Sequence, residues 1–347
     1  MTWRITIGLI TNLLLSFAVM ADVGIGFQQI TLADEANNRP LDVAVFYPAS
    51  SSQQTAIIGE NPVFHGIAVS KNAVPESGEY PLIVVSHGYG GSWFNQLWLV
   101  QVLVKQGYIV AAPNHPGTTT KDMRVEKAQE LWLRPNDISR VITALLAAPE
   151  KTGQVDAKRI AAVGHSLGGW AVLELAGGRF STDQFERDCL THVGLASCNV
   201  YEKMRVAKSA SSRAQLDTSL ADRRISAVVS LDMGLERGFT AGSLAAINIP
   251  VLIVAAGYPN EELPAELESH DLAQKLPPAH SAYKEIADAT HFSFMQLCKP
   301  GAVEIINAEN PGDGMICLDG GERSRELIHQ EVAKDISGFL QTAWPKL

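Results

Sequence analysis

The chain has 347 residues, with 28 Lys and Arg against 37 Asp and Glu and a formal charge of −9. An acidic balance of this size disfavours nucleic acid and anionic membrane surfaces as partners, because both call for a basic face. Hydrophobic residues make up 46% of the chain, and neither an internal repeat nor a low-complexity tract appears, which excludes a solenoid or a disordered chain.

Arg4 precedes an apolar stretch from Ile5 to Ala21 that ends Val19-Met20-Ala21 before Asp22. A basic start, a short apolar run and a small residue at the cut predict a secretory signal peptide over residues 1–21, and a periplasmic or secreted protein. Thr6, Thr11 and Asn12 interrupt a run already short for a membrane span, and no later segment is longer, so stable membrane insertion is not expected. Beyond it, apolar runs at 41–45, 82–85, 108–112, 160–163, 227–231 and 251–255 read as strands. They alternate with helix-compatible stretches at 95–105, 137–146, 167–176 and 323–342. Such alternation predicts an α/β fold, a mostly parallel sheet with helices on both faces.

The first chemically suggestive loop follows the run Pro81-Leu82-Ile83-Val84-Val85-Ser86, which leads directly into His87-Gly88-Tyr89-Gly90-Gly91. A strand that ends in His-Gly-x-Gly ahead of a nucleophile is where a backbone oxyanion donor is expected, here the N–H of Tyr89. Neither G-x-G-x-x-G nor G-x-x-x-x-G-K-[ST] occurs, so no nucleotide cofactor is expected. The nucleophile motif is Gly164-His165-Ser166-Leu167-Gly168-Gly169, between the strand-like Ile160-Ala161-Ala162-Val163 and a helix-compatible run. Strand, G-x-S-x-G and helix together describe a nucleophile elbow. Ser166 is the expected nucleophile and the Leu167 N–H the second oxyanion donor.

Residues 177–225 form an insertion before the next strand, predicted as a cap. Its later half mixes Arg, Lys, Asp, Ser and Ala with few large apolar residues. That composition suits a solvated helical cap that narrows a pocket better than a lid with a broad apolar face. Four cysteines fall into two local pairs, and in an oxidising compartment proximity predicts Cys189–Cys198 and Cys298–Cys317 bridges out of three possible pairings. Neither pair has C-x-x-C spacing, so no metal site is expected.

Chain order after the elbow should be acid, then histidine. Ala227-Val228-Val229-Ser230-Leu231-Asp232 reads as a strand ending in a carboxylate, which makes Asp232 the expected acid; Glu261 and Glu262, after the next strand, are the alternatives. Of His192, His270, His280, His291 and His329, only His291 follows the last strand-like run at a polar-to-aromatic junction, Thr290-His291-Phe292-Ser293-Phe294. His192 lies close to the elbow between cysteines, His270 and His280 sit in a polar stretch with prolines, and His329 is expected on the solvated face of a helix. Trp93, Phe94, Phe292 and Phe294 flank these loops, either as core or as the lining of an acyl pocket.

With Ser-His-Gly-Tyr-Gly-Gly, Gly-His-Ser-Leu-Gly-Gly, Ser-Leu-Asp-Met and Thr-His-Phe-Ser-Phe in this order, the chain resembles the secreted platelet-activating factor acetylhydrolases. It is also similar to their bacterial relatives, described as predicted dienelactone hydrolases. The likeness runs from about Gly24 to the C-terminal helix. It implies an α/β-hydrolase fold with Ser166 as nucleophile, Asp232 as acid and His291 as base. Two features depart from it: dienelactone hydrolases use a Cys nucleophile, and the segment 177–225 is longer than the compact acetylhydrolase connection. The expectation is one hydrolase domain over 22–347 that cleaves a small-molecule carboxylic ester, of short-chain, acetyl or phospholipid type. A peptidase or thioesterase of the same fold, or an exported binding protein without chemistry, are the competing readings. Nothing in the sequence sets an oligomeric state.

Overall fold

Apolar runs without polar alternation belong in strands covered on both faces, and here they build the centre of one sheet. The computed structural model describes residues 23–34, 38–50 and 54–344; the predicted signal peptide lies outside them. Ten strands occur among these residues: β1 (Val23–Leu32), β2 (Leu41–Ser50), β3 (Ala56–Ile58), β4 (Ile67–Lys71), β5 (Glu79–Ser86), β6 (Ile109–Asn114), β7 (Gln154–His165), β8 (Ala227–Leu231), β9 (Val251–Ala256) and β10 (Ser281–Ile286). They are ordered β10-β9-β8-β7-β5-β6-β2-β1-β4-β3. From β6 to β10 all neighbours run parallel, while β2 joins β6 and β1 joins β2 antiparallel. The main helices are α1 (Leu97–Lys105), α2 (Leu133–Ala147), α3 (Leu167–Leu175), α4 (Thr182–Thr191), α5 (Ala196–Lys203), α6 (Ala210–Leu216), α7 (Ser269–Lys275), α8 (Ala302–Glu309) and α9 (Arg325–Ala343).

Successive strand residues feed two separate cores, as the two-residue period of a strand requires. Leu82, Val84, Ile160 and Ala162 join Trp170 of α3 and Ile138, Val141 and Ile142 of α2 in one. Ile83, Val85, Ala161 and Val163 join Leu99 and Leu103 of α1 and Ile328, Val332 and Ile336 of α9 in the other. The strand β1 did not announce itself in the sequence, because two glycines and two glutamines dilute its apolar run. One of those glycines is obligatory: a Cβ on Gly26 would lie 2.3 Å from the ring of Tyr47 on β2.

Between α3 and β8, residues 177–225 carry α4, α5 and α6. The segment is better anchored than its composition suggested. Phe180 packs against Trp170 at 5.8 Å and Phe185 at 5.4 Å, and Phe185 packs against Tyr201 at 5.0 Å. Met204 and Leu216 are buried in the same core. Both predicted disulfides are formed, Cys189–Cys198 across the α4–α5 connection and Cys298–Cys317 around α8. Among the described residues no helix is long and apolar enough to cross a membrane.

The parallel strands deliver the suggestive loops to one edge of the sheet. Ser86 pairs with Gly164 and His165 with Leu231, so β5, β7 and β8 end side by side and open into the His87 loop, the Ser166 elbow and Asp232. Loops at the carboxyl ends of parallel strands are where such sheets hold their ligands. This edge leaves no space around its glycines: a Cβ on Gly164 would lie 2.1 Å from the Gly168 carbonyl oxygen, and one on Gly168 would lie 2.0 Å from that of Ser86. Gly168→Ala is therefore expected to destabilise the protein by about 3 kcal/mol and lower Tm by several degrees, because only backbone stands in the way. Thermal unfolding checks this, and a melting point within about a degree of wild type would contradict it.

Candidate active site

At Ser166 the chain turns from β7 into α3 with φ 54° and ψ −121°, a conformation that costs a non-glycine residue on the order of 1–3 kcal/mol. Several contacts hold it there. The Ser166 N–H donates to the Leu231 carbonyl at 2.9 Å, the Gly169 N–H donates back to the Ser166 carbonyl at 2.8 Å, and every residue of α3 is buried. The bend leaves the Ser166 side chain half-buried at the sheet edge.

Asp232 sits one residue past the end of β8 with φ 43°, its own N–H donating to the Val254 carbonyl at 2.7 Å. One carboxylate oxygen, Oδ1, accepts from the Ala256 N–H at 2.9 Å, and the other, Oδ2, faces His291 Nδ1 at 2.6 Å. Asp232 is thus locked by β9 and aimed at one imidazole nitrogen. A carboxylate on Nδ1 puts the ring proton there and leaves Nε2 as the basic nitrogen. Glu261 and Glu262, the alternative acids, are both exposed in the loop after β9.

His291 begins a short helical turn, His291–Phe294, fixed by its neighbours. Thr290 N–H donates to Ser293 Oγ at 2.8 Å, Ser293 Oγ donates to Asp319 at 2.5 Å, and Thr290 Oγ1 donates to the Leu318 carbonyl at 3.0 Å. Asp319 is also held by Arg325 Nε at 3.1 Å. Leu318 and Asp319 directly follow Cys317, so the Cys298–Cys317 bridge braces the His291 turn from behind.

The two halves of the site are joined through His165, a residue the sequence reading passed over. Its Nε2–H donates to the His291 carbonyl at 2.9 Å, and the two rings lie 4.8 Å apart. Burial, with the neighbouring His291 adding to it, pushes the His165 pKa down to about 3, so it stays a neutral donor. Being next to Ser166, it ties the elbow to the turn that carries His291. The Ser166 hydroxyl itself makes no hydrogen bond to His291 among the described residues, and such contacts commonly tighten only with substrate bound. Gly88 lies close by: a Cβ there would be 3.1 Å from Ser166 Cβ. The N–H groups of Tyr89 and Leu167 donate to no acceptor among the described residues.

The remaining histidines are accounted for elsewhere. His192, just past α4, pairs with Asp188 at 3.0 Å, His270 stacks on Tyr283 at 5.4 Å, and His280 is exposed directly ahead of β10. His329 is not at the surface as expected. It is buried, stacked on Trp98 at 4.0 Å, with Nε2 bonded to the Ser293 carbonyl at 2.8 Å. The aromatic neighbours divide as well. Phe294 is fully buried in the core, and Trp93 packs on Phe27 and Phe46 at about 6 Å.

Comparison with known proteins bears on the fold. The model of the prolyl oligopeptidase family matches residues 93–204, which include the elbow. Cutinase est1 and Cutinase est2 of Thermobifida alba are each 31% identical over 104 residues, 30% of this chain and 33% and 32% of theirs. The chain therefore matches about a third of the length of these curated relatives. A solved ferulic acid esterase from Streptomyces cinnamoneus aligns over 94% of this chain and 91% of its own, with a TM-score of 0.62 at 20% identity. The chain has the α/β-hydrolase fold.

The brace behind His291 is open to test. Replacing Cys298 and Cys317 together by Ser is expected to lower the unfolding free energy by about 2–4 kcal/mol and to speed amide exchange in residues 290–296. Denaturant titration with hydrogen exchange measures both. Unchanged protection of 290–296 would show that the turn stands without the bridge.

Proposed function

We propose that the protein is an exported serine hydrolase acting on small carboxylic esters, with Ser166 as nucleophile, His291 as general base and Asp232 as its orienting acid. The observation that carries this reading is the buried Asp232 carboxylate bonded at 2.6 Å to His291 Nδ1, beside an elbow that presents Ser166. His291 Nε2 takes the Ser166 proton as the hydroxyl oxygen attacks the ester carbonyl carbon. The carbonyl oxygen becomes an oxyanion that accepts from the Tyr89 and Leu167 amides, both without a partner among the described residues. The alcohol leaves with the proton from His291, and water then releases the acyl group by the same steps in reverse order. Asp232 stabilises the imidazolium formed at each stage, and the mechanism calls for no cofactor or metal.

Export is supported by the two disulfides, which persist in oxidising compartments, and by the signal-peptide pattern of residues 1–21. The names of the matched cutinases and of the ferulic acid esterase support ester substrates over amides. The resemblance to secreted acetylhydrolases puts acetyl and short acyl groups first, with phospholipid-type esters a narrower extension of the same chemistry. The segment 177–225, anchored by Phe180, Phe185 and Tyr201, serves in this reading as a cap beside the pocket. The match of residues 93–204 to the prolyl oligopeptidase family favours a second reading, in which the leaving group is an amine.

A panel of nitrophenyl esters graded by acyl length, run beside peptide anilides, separates the two. Ser166→Ala is expected to lose on the order of 10³-fold or more in kcat, and Asp232→Asn about 10⁴-fold. Faster turnover of anilides would establish the peptidase. Near-normal activity of Asp232→Asn would move the acid to Glu261 or Glu262.

A further inference from the structure

Behind the oxyanion loop lies a set of buried polar side chains that the mechanism does not use. Arg39 grips Asp137 with two nitrogens, Nε on Oδ1 at 3.0 Å and Nη2 on Oδ2 at 2.8 Å. Asp137 Oδ2 accepts from His115 Nδ1 at 3.0 Å, and His115 Nε2 faces Ser86 Oγ at 2.9 Å. Ser86 Oγ also accepts from Arg134 Nη2 at 3.2 Å, and the same nitrogen donates to the His87 carbonyl. Arg134 Nη1 donates to Thr118 Oγ1 at 2.5 Å. His87 closes the circuit: its Nε2 accepts from the His115 N–H at 3.0 Å, and its Nδ1 donates to the Gly88 carbonyl at 2.7 Å.

Asp137, His115 and Ser86 repeat the bonding order of a catalytic triad, but no substrate reaches them. Their exposures are 1%, 0% and 0%. A second active site is ruled out by that burial, and a bland structural role does not account for where the bonds end. They end on the backbone of the oxyanion loop. The His87 and Gly88 carbonyls are both held, and the peptide between Gly88 and Tyr89 carries the Tyr89 N–H. The flanking loop repeats the grip: Gly90 N–H donates to the Thr118 carbonyl at 2.9 Å, and Thr120 N–H to the Gly91 carbonyl at 2.8 Å. Thr118 is in turn held by Arg134. Rotation of the Gly88–Tyr89 peptide would break the His87 Nδ1 bond, so the donor's direction is set by this network.

We propose that Ser86, His115, Asp137 and Arg134 are positioning residues for ester hydrolysis, which fix the Tyr89 amide in the direction a developing oxyanion needs. The inference rests on the reading of Ser166 as nucleophile and Tyr89 N–H as oxyanion donor. The imidazoles of His87 and His115 both have pKa values pushed well below the ordinary histidine range, by burial first and by the Arg134 charge second. Both are therefore neutral, and their tautomers follow from their partners: Nδ1 carries the proton in each. With both imidazoles neutral, the network keeps one set of donors and acceptors across the working pH range, as preorganisation requires.

Ser86→Ala is the least disruptive test, because it removes one hydroxyl and leaves both the Arg39–Asp137 pair and the Arg134–His87 bond in place. His115→Gln is the second variant. The readouts are Tm, kcat and KM on a short nitrophenyl ester, and the inhibition constant of an alkyl trifluoromethyl ketone. The ketone's carbonyl carbon bonds to the Ser166 oxygen as the proton passes to His291, and its own oxygen becomes the oxyanion. Ser86→Ala is expected to stay folded with Tm lowered by a few degrees, because His115 Nε2 loses its partner, and to keep its KM while losing about ten- to a hundred-fold in kcat, with inhibitor affinity falling by a similar factor. Either of two results overturns the proposal: wild-type kcat and inhibitor affinity in both folded variants, or losses that follow Tm alone with inhibitor affinity intact. Failure of the wild type to bind the ketone, together with full ester hydrolysis by Ser166→Ala, would instead sink the triad reading, and this inference with it.

Discussion

The whole site depends on how tightly the backbone is packed around one bend. Ser166 is held in a conformation that L-residues avoid, and it stays there because the surroundings admit no other arrangement. The Gly164, Gly168 and Ser86 backbones are in contact, and Gly169 has Met233 against it, so a side chain at any of the three glycines would displace main chain or the residue that follows Asp232. The same packing that forces the serine outward brings the ends of β5, β7 and β8 within reach of one another. Strain at Ser166 and convergence of the loops are one constraint seen from two sides.

Around that bend the protein applies a consistent device: each functional group is held by its backbone as well as its side chain. Asp232 is fixed by main-chain bonds to both Val254 and Ala256 before its second oxygen meets His291. His291 has its carbonyl tied to His165 and its turn tied to Asp319 and Leu318. The loop after β5 is held at the His87 and Gly88 carbonyls. Buried polar groups are costly unless every partner is met, and here most of them are. Arg134 Nε is one exception, a buried nitrogen with no partner among the described residues.

Much of this was legible in the sequence, for reasons that also explain what was not. The central strands have both faces covered, so their apolar runs are continuous and stand out, and the glycines of the elbow are spaced by steric need. Asp232 and His291 could be put forward as a pair because chain order in this fold is fixed by topology, and the structure bonds the two at 2.6 Å. Strand β1, which lies between β2 and β4, was invisible because a glycine facing Tyr47 and polar residues at partly or fully exposed positions break its pattern. The buried network escaped because its members are far apart along the chain: Arg39 and Asp137 are separated by 98 residues. No local pattern marks such pairs. His329 was misplaced for a similar reason. A histidine on an amphipathic helix looks solvated until Trp98, from a distant helix, is stacked against it.

The central claim is that Ser166 is the activated nucleophile, and covalent trapping tests it most directly. The folded protein would be treated with a fluorophosphonate, digested, and the modified peptide identified by mass spectrometry. The account predicts a single adduct on Ser166, formed far more slowly when Asp232 is Asn. Labelling of another serine, or none in protein shown to be folded, would contradict it.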